Sequence, residues 1–116
     1  PLPLCLTQIP QKSTKNIFKE DYMNIPKEVK IGGFIVNVEF VDNLIVERRH
    51  CGEYNSRANI ITIDKAISQQ QKEDTFIHEL LEAITSIYDI DMDHKDLSNM
   101  ATVLYQIIKD NPGIFR

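Results

Sequence analysis

The alternation of side chains over residues 34–41 constrains the fold of this chain most strongly. One side of the segment is apolar at every position: Phe34, Val36, Val38 and Phe40. A period of two residues is typical of a β-strand with one buried face. After a turn at Asp42–Asn43, the segment LIVERR at 44–49 is predicted to return as a second strand. The β-branched segment IITID at 60–64 predicts a third strand, and the polar segment between them, GEYNSRAN at 52–59, predicts a loop.

The period changes to 3.6 residues from Ser68 onward, which indicates helices. Ser68 is a candidate N-cap, with Gln71 three residues later in the capping-box position, and the helix is predicted to run to about Tyr88. A second helix is predicted over residues 94–109, before Pro112 and Gly113. The order of strands followed by helices predicts an α+β domain, with a small, mainly antiparallel three-stranded sheet packed on two helices.

The first 25 residues differ from the rest of the chain. Three prolines and the polar stretch QKSTKN predict a loosely ordered arm, with a short helix near Ile17–Met23. Residues 26–116 then form the single domain, since 116 residues suffice for one modest core.

Composition and charge narrow the function classes. The net charge of −4 offers no electrostatic basis for binding nucleic acid or an anionic membrane. No apolar run approaches the roughly 20 residues that span a bilayer. The two cysteines, Cys5 and Cys51, are too few for a disulfide framework, so the sequence predicts a reducing cytoplasm and an incidental or structural thiol at Cys51.

The segment FIHELLEAI at 76–84 carries the chemistry-bearing residues of the first helix. It resembles the zinc-peptidase pattern His-Glu-x-x-His, with Glu82 in place of the second His. On a helical wheel, His78 and Glu82 are neighbours one turn apart, off the apolar row that contains Ile77 and Leu81. Glu79 lies on the far side of this pair. The pair could also be a buried, hydrogen-bonded histidine and a solvated glutamate, and the motif alone does not decide between these readings.

The second helix supplies a third candidate ligand. Its apolar row, Leu97, Ala101, Leu104 and Ile108, reaches His94 when extended one turn backward. A short connection makes the two helices antiparallel neighbours, so the start of the second lies near Glu82. His78, Glu82 and His94 are therefore predicted to bind one divalent metal, most readily zinc, with a fourth position open. The alternative for His94 is an ion pair with Asp91, Asp93 or Asp96.

FIHELLEAI followed by HKDLSNMATVLYQIIKDNP resembles a family of small zincin-like metallopeptidase relatives encoded by bacteriophages and prophages. The resemblance covers roughly residues 26–113. More distantly, the chain is similar to ImmA/IrrE-type metallopeptidases, which have a His at the position of Glu82 and a Glu at the position of His94. Two imidazoles and one carboxylate remain, with their positions exchanged.

The resemblance implies a function and further roles. It implies a zinc-dependent peptidase in the cytoplasm of a bacterial host, acting on a phage or host regulatory protein, with Glu79 as the proton acceptor. It also implies that residues 60–63 form the edge strand beside the cleft. Tyr54 is a candidate oxyanion donor or an ordinary packing residue, and an acidic side chain among Asp89, Asp91 and Asp93 could orient His94. The alternatives are a non-catalytic binding or regulatory protein on the same scaffold, or a metal that only joins the helices.

Overall fold

A computed structural model of the chain describes residues 23–45 and 50–115. Over these residues the elements are strands β1 (Glu28–Ile31), β2 (Phe34–Val41), β3 (Gly52–Asn55) and β4 (Ile60–Asp64), and helices α1 (Gln69–Ile87) and α2 (His94–Asp110). The α+β class, the strands at 34–41 and 60–64 and both predicted helices are confirmed. None of the helices in this part of the chain combines the length and the apolar character needed to cross a membrane.

The sheet differs from the prediction in strand number and in one pairing. Its order is β1-β2-β4-β3, and β2 pairs with β4 in parallel, whereas the two outer pairings are antiparallel. β1, which precedes β2 in the chain, forms a hairpin with it. In the turn between them Gly32 takes a positive φ of 58°, and the turn sets Ile31 opposite Phe34. The predicted number of three strands is therefore wrong. The described sheet has four strands and is mixed, with two antiparallel pairings and one parallel pairing.

Two sequence segments exchange their predicted roles. Leu44 and Ile45 are helical rather than extended, and residues 46–49 lie outside the described part of the chain. The segment GEYN, which was expected in a loop, forms β3 and pairs with β4. As a result β4 lies between β2 and β3, so the expectation that residues 60–63 form an edge strand is wrong. Among the described strands, β3 is the edge strand beside β4.

The N-terminal arm falls largely outside the described residues. The predicted helix near Ile17–Met23 lies there except for Met23, and Cys5 lies there as well. Cys51 is buried, and its sulfur is disulfide-bonded, so the expectation of a thiol at this position is wrong.

The hydrophobic core lies between the sheet and the two helices. Its most deeply buried members are Val36, Ile61, Ile63, Ile77, Ala83 and Ala101. The alternation in β2 holds in the middle of the strand, where Val36 and Val38 are buried. It does not hold at its ends, where Phe34 and Phe40 are exposed.

Local signals at the helix ends set the geometry between α1 and α2. Ser68 caps α1 with the complete capping box that Gln71 predicts. At the other end, Asp89 takes a positive φ of 54°, and the amides of Asp89 and Ile90 donate to the carbonyls of Ser86 and Thr85. These bonds form a Schellman motif with Asp in the position that glycine usually takes. The chain therefore reverses sharply before Asp93, which caps α2.

A buried carboxylate joins α1 to α2. Glu73 is fully buried and accepts hydrogen bonds from the Tyr105 hydroxyl at 2.8 Å and from the Gln69 amide and the Met23 backbone amide at 3.0 Å each. Lys109 lies 3.5 Å from the same carboxylate and donates to the Tyr105 hydroxyl at 3.1 Å. Burial and the bond to Glu73 raise the pKa of Tyr105, which therefore remains a hydrogen-bond donor. The charge of Glu73 is compensated from α2 and from the chain before β1.

A second buried carboxylate closes the end of the sheet. Asp64, the last residue of β4, accepts hydrogen bonds from the amides of Ile45 at 2.9 Å and Ala66 at 2.7 Å. Burial by itself raises the pKa of Asp64, but the amides of Ile45, Ala66 and Leu44, together with Lys72, hold it below its ordinary value. Asp64 therefore remains ionised and holds the segment after β2 against β4.

The Glu73 network generates a stability prediction. We expect Glu73→Ala to lower the free energy of unfolding by about 3–5 kcal/mol, because it leaves Lys109, whose side chain is only 10% exposed, without its partner. Tyr105→Phe, which removes the bond to Glu73 and the bond from Lys109, is expected to cost at least about 1.5–3 kcal/mol.

Urea unfolding at pH 7 measures both effects. The matched control is Gln106→Ala, an exposed neighbour on α2 that is expected to change stability by less than about 0.5 kcal/mol. Equal unfolding midpoints for Glu73→Ala and Gln106→Ala would contradict a stabilising role for the network.

Candidate metal centre

Three side chains meet where the end of α1 lies beside the start of α2. The Nε2 atom of His78 is 3.7 Å from Glu82 Oε2, and the Nδ1 atom of His94 is 3.6 Å from the same oxygen. The two imidazole rings lie edge to face with their centroids 5.4 Å apart. One ligand atom from each of the three residues lies within 4.8 Å of the others. The sequence-predicted set His78, Glu82 and His94 is thus brought together.

The antiparallel packing of α1 and α2 produces this convergence. Glu82, near the end of α1, contacts His94 at the start of α2, whereas Glu73, near the start of α1, contacts Tyr105 toward the end of α2. The predicted antiparallel arrangement is therefore confirmed.

The spacing of the three groups fits a metal ion better than it fits hydrogen bonds. Separations of 3.6 and 3.7 Å exceed the range of a protein hydrogen bond. A tetrahedral ion with bonds of about 2.0–2.1 Å separates its ligand atoms by about 3.3 Å, so small side-chain adjustments suffice to receive one. Two imidazoles and one carboxylate are a ligand set that zinc accepts.

The electrostatics of His78 agree with a ligand role. Its side chain is buried, and burial first, with His94 second, lowers the pKa of His78 to about 4. The ring is therefore neutral at pH 7, which is the form that binds a metal. His78 also has a buried Nδ1 atom without a hydrogen-bond partner.

His94 and Glu82 give the site access to solvent. The His94 side chain is 73% exposed and that of Glu82 is 35% exposed. The Ser98 hydroxyl lies 3.5 Å from Nε2 of His94, on the ring nitrogen opposite the one that faces Glu82. His94 contacts Glu82, and no contact with Asp91, Asp93 or Asp96 in the ion-pair range occurs among the described residues. Asp93 instead caps α2 by accepting from the Lys95 amide.

Glu79 lies beside the cluster on α1 and is buried. It is off the apolar row, as the sequence predicts, but β3 covers it. Burial, then Glu82, then Glu53 raise the pKa of Glu79 to about 8. Its carboxyl group can therefore both hold and release a proton near neutral pH, which is the property of a general acid or base.

The close approach of β3 to α1 depends on Gly52. A Cβ atom at this position would lie 3.2 Å from Cγ of Glu79, and it would overlap the Thr75 side chain. Only glycine allows the strand to pass this close to the helix. The sequence alone does not predict Gly52 as a site residue, since a glycine at the start of a polar segment is a typical loop signal.

Tyr54, the candidate oxyanion donor, has a different partner. Its hydroxyl donates to the Asn59 side chain at 2.9 Å, and its ring packs against the core, which agrees with an ordinary packing role.

Asp74 is a buried residue that the sequence does not single out. Burial raises its pKa to about 6. Its position one turn before His78 is visible in the sequence, but its burial is not.

The chain was compared with known proteins at three levels. No protein-family model, no curated protein and no solved structure matches it. The resemblance to phage-encoded zincin-like proteins thus stays a prediction from the sequence motifs.

The contact between β3 and α1 yields a stability prediction. We expect Gly52→Ala to lower the free energy of unfolding by about 1–3 kcal/mol, because the added methyl group forces β3 away from Thr75 and Glu79.

Gly33→Ala is the matched control, since nothing lies within 4 Å of a Cβ atom at that turn position. It is expected to change stability by less than about 0.5 kcal/mol. Thermal and urea unfolding measure both variants. If Gly52→Ala is as stable as wild type, the close packing of β3 on α1 is not required for stability.

Proposed function

We propose that the chain is a zinc-dependent peptidase of phage or prophage origin that acts on a phage or host regulatory protein. The convergence of His78, Glu82 and His94 beside the buried Glu79 carries this proposal. The phage origin and the choice of a regulatory protein rest on the resemblance of residues 26–113. The proposed location is the bacterial cytoplasm, although the bonded Cys51 is uncommon in a reducing compartment.

Zinc held by these three side chains would supply a Lewis acid that polarises a carbonyl group and lowers the pKa of water. Glu79 accepts a proton from the water that attacks the peptide carbonyl and returns it to the amine released when the C–N bond breaks. A pKa near the working pH suits both transfers. The low exposure of Glu79 favours this role, because burial keeps competing water away from the proton.

A peptide would be bound along β3 in this proposal. The strand lies at the end of the described sheet, and Gly52 brings it against Glu79. Backbone hydrogen bonds to such a strand hold an extended peptide independently of its side chains. The expectation of edge-strand binding therefore moves from β4 to β3.

The alternative is a binding or regulatory protein that uses the same scaffold without catalysis. Both functions include the metal centre, but only the peptidase uses Glu79 for proton transfer. Metal binding and hydrolysis therefore need separate tests.

The first test is metal binding. We expect the purified protein to bind one zinc ion and to melt at a higher temperature with zinc, because an ion bound only by the folded state stabilises it by about 2.7 kcal/mol at 100 times Kd. In His94→Ala, the zinc-induced rise in melting temperature should disappear. Elemental analysis and calorimetry measure the two quantities.

His50→Ala is the matched control, since it removes an exposed histidine that is not in the ligand set. It should keep full zinc content. If His94→Ala binds zinc as wild type does, His94 is not a ligand.

The second test separates the enzyme from the binding protein. We expect Glu79→Gln to retain zinc and the fold but to cleave peptides about 10²–10⁴-fold more slowly, the usual loss when a general base is removed. The measurement is the appearance of new N-termini when zinc-loaded protein is incubated with a denatured bacterial proteome.

Glu39→Gln, a change at an exposed position on β2, is the control and should cleave at the wild-type rate. If wild type and Glu79→Gln both bind zinc and neither produces new N-termini, the non-catalytic alternative replaces the peptidase.

A further inference from the structure

Polar residues recur at every fourth position along α1 and lead into the metal centre. They are Gln70, Asp74, His78 and Glu82, and the first three are buried. Residues four apart on a helix are neighbours on its surface. His78 therefore has Glu82 on one side along this row and Asp74 on the other.

Three atoms in this row are buried without hydrogen-bond partners: Oε1 of Gln70, Oδ1 of Asp74 and Nδ1 of His78. The last two lie on successive turns of α1, next to the metal centre. Buried polar atoms are nearly always paired in folded proteins, because leaving one unpaired costs free energy. Of these atoms only Nδ1 of His78 can be a donor, and Asp74 is the acceptor one turn before it on the same row.

The chemistry of the two atoms is complementary. A neutral imidazole whose Nε2 binds a metal carries its proton on Nδ1, so Nδ1 is then a donor. The Asp74 carboxylate oxygen is an acceptor. Side chains on a helix lean toward its N-terminus, which directs His78 toward Asp74.

We propose that Asp74 is a positioning residue for the metal centre, and that its carboxylate accepts the Nδ1–H of His78 when Nε2 binds a metal. The inference rests on the proposed metal site and adds a residue to it. A carboxylate behind a ligating imidazole fixes its tautomer and orientation and makes it a stronger ligand. Without a metal, Asp74 is a buried acceptor that lacks its donor, so it should weaken the metal-free fold.

Metal affinity and metal-free stability test this role together. We expect Asp74→Ala to bind zinc about 10–100-fold more weakly, as is usual when such a partner is lost. We expect the same variant, stripped of metal, to unfold at the same or a higher urea concentration than wild type. A merely structural residue would lower both quantities. Zinc affinity is measured by competition with a chromophoric chelator.

Two variants serve as controls. Thr75→Val also removes a buried, unpartnered oxygen, one residue away from Asp74, and should leave zinc affinity unchanged. Asp74→Asn keeps an acceptor oxygen in the same place and should restore most of the affinity lost in Asp74→Ala.

A direct readout covers the case in which Asp74→Ala does not fold. In zinc-loaded wild type with ¹⁵N-labelled histidine, the Nδ1–H of His78 should give a slowly exchanging NMR signal. Asp74→Asn should shift this signal, and Thr75→Val should not.

The outcomes separate this inference from the proposed function. Tight zinc binding by wild type and equally tight binding by Asp74→Ala would overturn the role of Asp74 and leave the metal centre intact. Equal losses of affinity in Asp74→Ala and Thr75→Val would also overturn it. If wild type binds no zinc, both the metal centre and the role of Asp74 fail.

Discussion

The buried carboxylate of Glu73 is the interaction on which the arrangement of the helices depends. A fully buried charge is tolerated only where donors surround it, and here they come from α1, from α2 and from the chain before β1. The network fixes which residues of the helices face each other. Because Tyr105 of α2 is held beside Glu73, the opposite end of α2 lies beside Glu82. His94, the first residue of α2, is therefore next to Glu82.

The proposed metal centre lies at the other end of the same helix pair. The chain itself supplies the donors around Glu73, whereas around His78 the ligand atoms lie 3.6 and 3.7 Å apart and Nδ1 of His78 has no partner. This contrast within one interface supports the proposed metal site.

The burial of Glu79 links the sheet to the site. It follows from Gly52, whose lack of a side chain allows β3 to lie against α1. In an open position Glu79 would be an ordinary surface carboxylate. Covered by a strand and close to Glu82 and Glu53, it has a pKa of about 8. The proposed proton transfer and the proposed peptide-binding strand therefore depend on the same backbone contact.

Local signals in the sequence determined the helices, their caps, two of the strands and the set His78, Glu82 and His94. Periodicity and capping act over a few residues, and a short link between helices restricts how they pack. The tertiary structure decided the rest. Parallel pairing of β2 with β4 and the formation of β3 depend on contacts between distant residues, which periodicity does not report. Glu73 lies within the apolar stripe of α1, four residues before Ile77, so its position hinted at burial, but its donors on α2 were not visible. The burial of Asp74 and Glu79 likewise arises only when other elements cover α1, because burial is a property of the packed chain and not of the residue.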